Sequence, residues 1–324
     1  MARHWCNPAL TTMSNTNPVV SAVIPTRNRP GLVVRAVRSA LNQTFAELEV
    51  VVVVDGADPI TVAALRQIED QRLRVIELPE SVRGAEARNI GARQARGEWI
   101  AFLDDDDEWL PEKILDQLEA AADSRCKSPI VSCRMYAQTP HGRYLWPTRL
   151  RNAEEPLSEY ILARSTLLQS GGMITCSTLL VPRELLLQVP FRSAQKRHQD
   201  WDWLLHALTM QGTKLIIAPE ALTIYHAEEE HPTMSGGSDW RYSSEWIEDI
   251  RDIVTPRAYS AFLLTTVTSA AVRAGERRAC ISILKQAIYR GRLAGIDLLL
   301  FCIIAIIPRQ SRGQLRALLS GLHL

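Results

Sequence analysis

Six cysteines, Cys6, Cys126, Cys133, Cys176, Cys280 and Cys302, are scattered over 324 residues, and no two stand in a CxxC spacing. That excludes the usual zinc and thioredoxin-like signatures, and a chain of this size needs no disulfide framework. The reading is of reduced, mostly buried thiols in a cytosolic protein. The formal net charge is only +1, so the basic footprint of a nucleic-acid binder is missing. No GxGxxG follows the first apolar strand and no Walker A loop occurs, which removes the main support for nicotinamide and P-loop chemistry. No apolar run reaches the roughly 20 residues of a membrane-spanning helix. The nearest is IDLLLFCIIAII at 296–307, which reads either as a core helix or as an interfacial one. Residues 1–17 lack the apolar stretch of a secretory leader and read as a flexible polar tail.

What is present is a globular composition, 46% apolar and 23% charged, with strongly patterned elements. The chain is organised around Trp99 to Trp109, WIAFLDDDDEW. An uncharged strand run, Trp99 to Leu103, delivers four carboxylates, Asp104 to Asp107, and a helix is expected from Pro111. A strand that ends in carboxylates places them at the carboxyl edge of a sheet, where open α/β sheets bind ligands. Adjacent anions repel and call for a cation, and hard oxygen ligands suit Mg²⁺ or Mn²⁺. The plainer alternative is a solvated acidic turn capping the helix.

Before this stretch, strands are expected at Val19 to Ile24, Leu48 to Val54 and Leu73 to Leu78. Helices alternate with them at Pro30 to Leu41, Ile60 to Ile68 and Gly84 to Arg96. The run LEVVVVV is apolar on both faces apart from Glu49, as in a parallel sheet covered on both sides. The alternation predicts a doubly wound sheet. After the Pro111 to Ala122 helix the spacing predicts strands at Ile130 to Tyr136, Met173 to Val181, Lys214 to Ala218 and Ala221 to Tyr225. A polar, Arg-rich loop is expected at His141 to Glu155. In HQDWDWLLHAL, His198 to Leu208, the apolar stripe puts Asp200 and Asp202 in a helix's first turn. From Trp240 on the pattern is helical. Arginines 290, 292, 309, 312 and 316 flank the apolar run, the composition of a segment near anionic lipid; helix-end arginines over a core helix have the same look.

The ordered motifs VIPTRNRP, VVVVDG, GAEARNIGARQARGEWIAFLDDDDEWLPEKI and QDWDWLLHAL resemble glycosyltransferase family 2. The resemblance is dense over 19–120 and returns at 198–231. It implies a GT-A, Rossmann-like α/β fold with a mostly helical C-terminal extension, and sugar transfer from a nucleotide-diphosphate donor, UDP-sugar favoured. Residue by residue, Pro25, Thr26 and Asn28 would line the nucleotide pocket. Asp55 would accept from the uracil N3–H, and Arg88 would lie beside base or pyrophosphate. Asp104 would sit near the ribose and Asp106 would bind Mg²⁺ or Mn²⁺, with Asp105 or Asp107 able to take either part. Asp200 matches the catalytic base, although the family's Glu-Asp pair is Gln199-Asp200 here. His226 or His231 would complete the metal shell.

The implied organisation is a tail at 1–17, a nucleotide-sugar part at 18–125, an acceptor and base part at 126–235, and a helical region at 236–324. Processive synthases of the family carry QxxRW and several membrane spans, and neither is in this sequence, so a non-processive, inverting enzyme of glycan or cell-surface polysaccharide synthesis is expected. Its acceptor would be a glycan or lipid-linked. It would work in the cytoplasm, with peripheral attachment to the inner membrane face through the C-terminal helices. The rivals are a sugar-phosphate nucleotidyltransferase and a non-catalytic nucleotide-sugar-binding protein. The first would want a Gly-rich basic loop where Pro25 to Pro30 stands, and the second draws only on Gln199.

Overall fold

The structure, a computed structural model, describes residues 18–140, 142–166, 172–227 and 239–307. The first half alternates as the apolar runs require: β1 (Val20–Thr26), α1 (Pro30–Leu41), β2 (Leu48–Val54), α2 (Pro59–Leu65), β3 (Leu73–Glu77), α3 (Arg83–Gln94) and β4 (Trp99–Phe102). Strands β1 to β4 are parallel in the order β3-β2-β1-β4. Each valine of β2 is fully buried, because helices cover both sheet faces. The one charge in β2, Glu49, is held by the Ser21 hydroxyl (2.7 Å), the Arg74 guanidinium (2.9 Å) and the Arg96 N–H (2.7 Å). Helix α3 lies so close to the sheet that a Cβ on Gly91 would sit 2.3 Å from Val23 Cγ1.

Beyond β4 the sheet continues with strands of both directions. After the acidic turn come β5 (Glu108–Trp109), α4 (Lys113–Asp123), β6 (Ser128–Thr139), β7 (Gly142–Trp146) and α5 (Leu157–Leu162). Then follow β8 (Leu180–Pro182), α6 (Arg183–Gln188), α7 (Gln199–Ala207) and β9 (Thr213–His226). The full path is β3-β2-β1-β4-β8-β6-β9-β5, with β7 on the edge of β6. Strand β8 is antiparallel to β4, so the sheet is mixed rather than doubly wound throughout. Its long, non-local members, β6 and β9, run parallel.

Four sequence expectations change. The Met173 to Val181 strand shrinks to β8, because Cys176–Thr178 coil into a 3-10 turn whose polar groups serve the acidic turn. The two strands at 214–225 are one, β9, facing a register irregularity at Cys133 to Met135. The Arg-rich loop contains a strand, β7, antiparallel to β6. Its arginines already have partners: Arg143 lies over the Tyr136 ring, and Arg149 pairs with Glu155 at 2.7 Å. Helix α4 starts at Lys113, after β5, not at Pro111.

The remaining helices are α8 (Trp240–Asp249), α9 (Pro256–Phe262), α10 (Thr268–Arg273), α11 (Ala279–Arg290) and α12 (Gly295–Ile306). A π-helical turn, Leu263–Val267, joins α9 to α10 in one rod. Buried side chains of this region (Trp246, Phe262, Leu263, Ala287) share one core with Ile100 and Phe102 of β4 and Trp203 of α7. The part of the expected helical region beyond residue 307 lies outside the described residues. Among the described residues, no helix is long and apolar enough to cross a membrane, and five cysteines are free thiols.

Candidate active site

The parallel strands β1, β2 and β4 end on one edge, and the acidic turn lies there. The turn is closed by the Asp107 N–H donating to the Asp104 carbonyl (3.1 Å). Its four carboxylates alternate. The side chains of Asp104 and Asp106 are 30% and 28% exposed, whereas Asp105 and Asp107 are buried. Asp107 accepts from the Ser177 hydroxyl, whose oxygen in turn receives the Asp104 N–H (3.1 Å). Asp105 accepts from the Thr26 hydroxyl (2.7 Å). Burial raises Asp105 to about 6, against the pull of Thr26 and Arg29. It also raises Asp106, helped by the charge of Asp104. Asp107 stands well above the ordinary range, through burial and then the charges of Asp104 and Asp106.

Three arginines bring positive charge to these anions. Arg29 Nη1 donates to Asp105 Oδ1 (2.9 Å) and Asp106 Oδ2 (3.0 Å). Arg35 Nη2 donates to the Asp106 carbonyl (2.7 Å). Arg88, on α3, donates to Asp104 and, at 2.8 Å, to the Gln199 side-chain oxygen. One guanidinium thus ties the acidic turn to the first turn of α7, 111 residues away. Its Nε is buried with no hydrogen-bond partner among the described residues.

Asp200 lies beside this clamp. Burial and then the Asp104 charge raise its carboxyl to about 6, with Arg88 opposing. The other first-turn acid, Asp202, faces inward, held by Arg192 and by Trp246 Nε1 (2.8 Å), and is structural. Tyr225, at the end of β9, completes the crevice. Its phenol is pushed up to about 12 by burial and by the charges of Asp107, Asp106, Asp104 and Asp200. The Trp146 ring packs 6.2 Å from it.

The sequence-predicted nucleotide residues have varied surroundings. Asp55 is spent on the start of α3, accepting from Ser81 Oγ (2.8 Å), Val82 N–H (2.6 Å) and Arg83 N–H (3.0 Å). About one of a carboxylate's four acceptor positions is left. Pro25 precedes the buried Thr26, which faces Asp105 rather than open crevice. Asn28 is exposed, at φ 55°, with its N–H held by Asp58 (2.7 Å). His226 is taken by Glu108 (2.8 Å), and His231 lies outside the described residues. Among the described residues, no three His, Cys, Asp or Glu side chains gather into a metal cage. The donor set at Asp104 and Asp106 fits instead a hard cation that brings phosphate oxygens of its own.

Sequence reasoning missed Arg29, Ser177 and Tyr225. Arg29 carried a signal, a cation in the loop after β1. Ser177 and Tyr225 carried none, since only the antiparallel half of the sheet brings them here.

Comparison with known proteins fits this geometry. The Glycosyl transferase family 2 model matches residues 21–188. The amylovoran biosynthesis glycosyltransferase AmsB of Erwinia amylovora is 26% identical over 260 residues, covering 74% of this chain and 82% of AmsB. WfaP of Escherichia coli, a UDP-Glc:alpha-D-GlcNAc-diphosphoundecaprenol beta-1,3-glucosyltransferase, is 34% identical over 100 residues, 31% of this chain and 40% of its own. Among solved structures, the mannosyltransferase PcManGT from Pyrobaculum calidifontis, in complex with GDP-Man and Mn²⁺, superposes with a TM-score of 0.55 at 21% identity, covering 92% of this chain and 83% of that one. That likeness establishes the GT-A fold. The matched span is more than half of the chain and holds the acidic turn with its arginine clamp, so this chain belongs to glycosyl transferase family 2 and is a glycosyltransferase.

Proposed function

We propose that the chain is an inverting, metal-dependent, non-processive enzyme that moves a sugar from a nucleotide diphosphate, a UDP-sugar by preference, to a hydroxyl of a glycan or lipid-linked acceptor in polysaccharide synthesis. One observation carries the reading: Arg88 bridges Asp104 and Gln199 while Asp200, next in sequence, has a carboxyl raised to about 6. A base of that pKa is mostly unprotonated at neutral pH yet far more basic than a free aspartate, which suits removal of a proton from the acceptor hydroxyl in the transition state. The two exposed carboxylates, Asp104 and Asp106, would hold Mg²⁺ or Mn²⁺ together with the diphosphate. Such an ion supplies charge stabilisation to the leaving group. Arg88, buried and pre-oriented, does the same from the protein side. One base and one in-line displacement invert the anomeric centre.

Names of relatives support the coarser parts. AmsB is a polysaccharide enzyme, WfaP takes UDP-Glc and a lipid diphosphate acceptor, and PcManGT was solved with Mn²⁺. A cytoplasmic place at the inner membrane face follows from an acceptor of that class. The Gln199 amide oxygen keeps the hydrogen bond to Arg88 that a glutamate would make, without adding a second negative charge beside Asp200.

The test is thermal shift with UDP, GDP, dTDP and CMP, each with and without Mn²⁺, on wild type and Asp106→Asn. Saturation near 100 times Kd stabilises by about 2.7 kcal/mol. A Mn²⁺-dependent UDP shift that disappears in the variant is expected. No shift with any nucleotide would sink the reading.

A further inference from the structure

Twelve large apolar side chains are markedly exposed among the described residues, and five of them fall between 281 and 306. They are Ile281 (64%), Ile288 (49%) and Tyr289 (84%) on α11, and Leu299 (47%) and Ile306 (71%) on α12. Such clustering differs from the scattered apolar residues of an ordinary surface. The two helices run in opposite directions, each about 18 Å long, and pack against the α9–α10 rod rather than against each other. Residues 291–294 join them at one end, and at the other Arg277 Nη1 donates to the Ala305 carbonyl (2.9 Å). Both turn their buried side chains, Ile283 and Ala287 on α11 and Leu300 on α12, toward the core around the α9–α10 rod. The exposed residues therefore point away from the molecule.

The charge on these helices is mostly positive. Residues 277–307 contain Arg277, Arg278, Lys285, Arg290 and Arg292 against a single acid, Asp297, and Asp297 is fully buried. Arg278, Lys285 and Arg292 are exposed. Lys285 sits on the outer face of α11 between Ile281 and Ile288. An apolar face interleaved with cations, whose nearest anions Glu276 and Glu248 are paired with Arg241 and Arg290, matches an anionic bilayer surface, where apolar groups enter the headgroup boundary and cations add attraction.

We infer that the outward sides of α11 and α12 dock this enzyme flat on an anionic lipid surface, without crossing it. The inference stands independently of the donor reading, because no nucleotide enters its test. The full chain is co-sedimented with phosphatidylcholine vesicles with and without phosphatidylglycerol, at low and high salt. Binding only to the anionic vesicles is expected, weakened by salt. The Ile288→Glu/Tyr289→Glu variant, both positions being exposed, should lose binding by about tenfold or more while its melting temperature stays put. Lys285→Glu should lose about fivefold or more. Absence of binding to anionic vesicles overturns the inference. So does binding that survives Ile288→Glu/Tyr289→Glu. If sedimentation velocity shows the wild type as a dimer that the same variant dissociates, and no vesicle is bound, the face is an interface between copies instead.

Discussion

At Asp200 burial and the charge of Asp104 outweigh Arg88, and the carboxyl rises from an ordinary value near 4 to about 6. The acting form is the carboxylate, so kcat/KM should climb as pH rises through about 6 and level off above it. Asp200→Asn should abolish transfer while leaving the nucleotide thermal shift unchanged; substantial residual turnover would remove Asp200 from the base role. Arg29 makes a second claim at this scale. It holds one oxygen of Asp106, the carboxylate proposed to bind the metal, so ion and guanidinium would compete for that side chain. Arg29→Met should bind Mn²⁺ more tightly, measured by Mn²⁺ electron paramagnetic resonance. The same variant should be less stable by about 1–3 kcal/mol, because buried Asp105 loses a charged partner. Looser Mn²⁺ binding in that variant would show that Arg29 positions the carboxylates and does not compete. Asp104, Asp106, Arg88 and Asp200 were legible in the sequence because each stands in a short motif whose side-chain chemistry is distinctive. The alternation of open and buried carboxylates was not, since it depends on Ser177 and Thr26 taking one aspartate each.

Among the elements, α12 holds the least settled polar group. Asp297 is fully buried, and among the described residues neither carboxylate oxygen has a hydrogen-bond partner. Its pKa is raised by burial, with the Arg257 charge opposing and the Glu159 charge adding. A folded-state pKa above the unfolded one means the folded protein binds the proton more tightly. Stability is therefore fully present at low pH and lost as pH rises through the folded value. Asp297→Asn should stabilise by about 1–3 kcal/mol at pH 8 and by less at pH 5, read from urea midpoints at the two pH values. An equal gain at both would mean that the fold does not raise the Asp297 carboxyl above its unfolded value. The parallel strands were readable as elements because LEVVVVV and its neighbours alternate with amphipathic helices of the right length. Strands β5 and β8 were not, being two and three residues long and shaped by partners more than 30 residues away, and β7, which pairs with neighbouring β6, was hidden in a polar, Arg-rich run. The apolar run at 296–307 remained ambiguous in sequence for a physical reason. Helix α12 buries one stripe and exposes another, which hydropathy alone averages together.

For the molecule as a whole, the shared core means that the C-terminal helices and the sheet stand or fall together. Trp246 packs in that core and its indole N–H holds Asp202, 44 residues earlier. Trp246→Ala should cost about 3–5 kcal/mol and lower one common transition followed by both near- and far-ultraviolet circular dichroism. Two separated transitions would instead make the C-terminal region an independent unit. The order of the strands has a further, kinetic consequence. The carboxylates of 104–107 are synthesised early, yet their turn is fixed by Ser177, their clamp is closed by Gln199, and the neighbouring strand pairs with β9. Contacts so far apart in sequence are slow to close. On the ribosome, the acidic turn therefore matures late, and until β9 emerges the nascent chain carries four crowded anions without the framework that separates them.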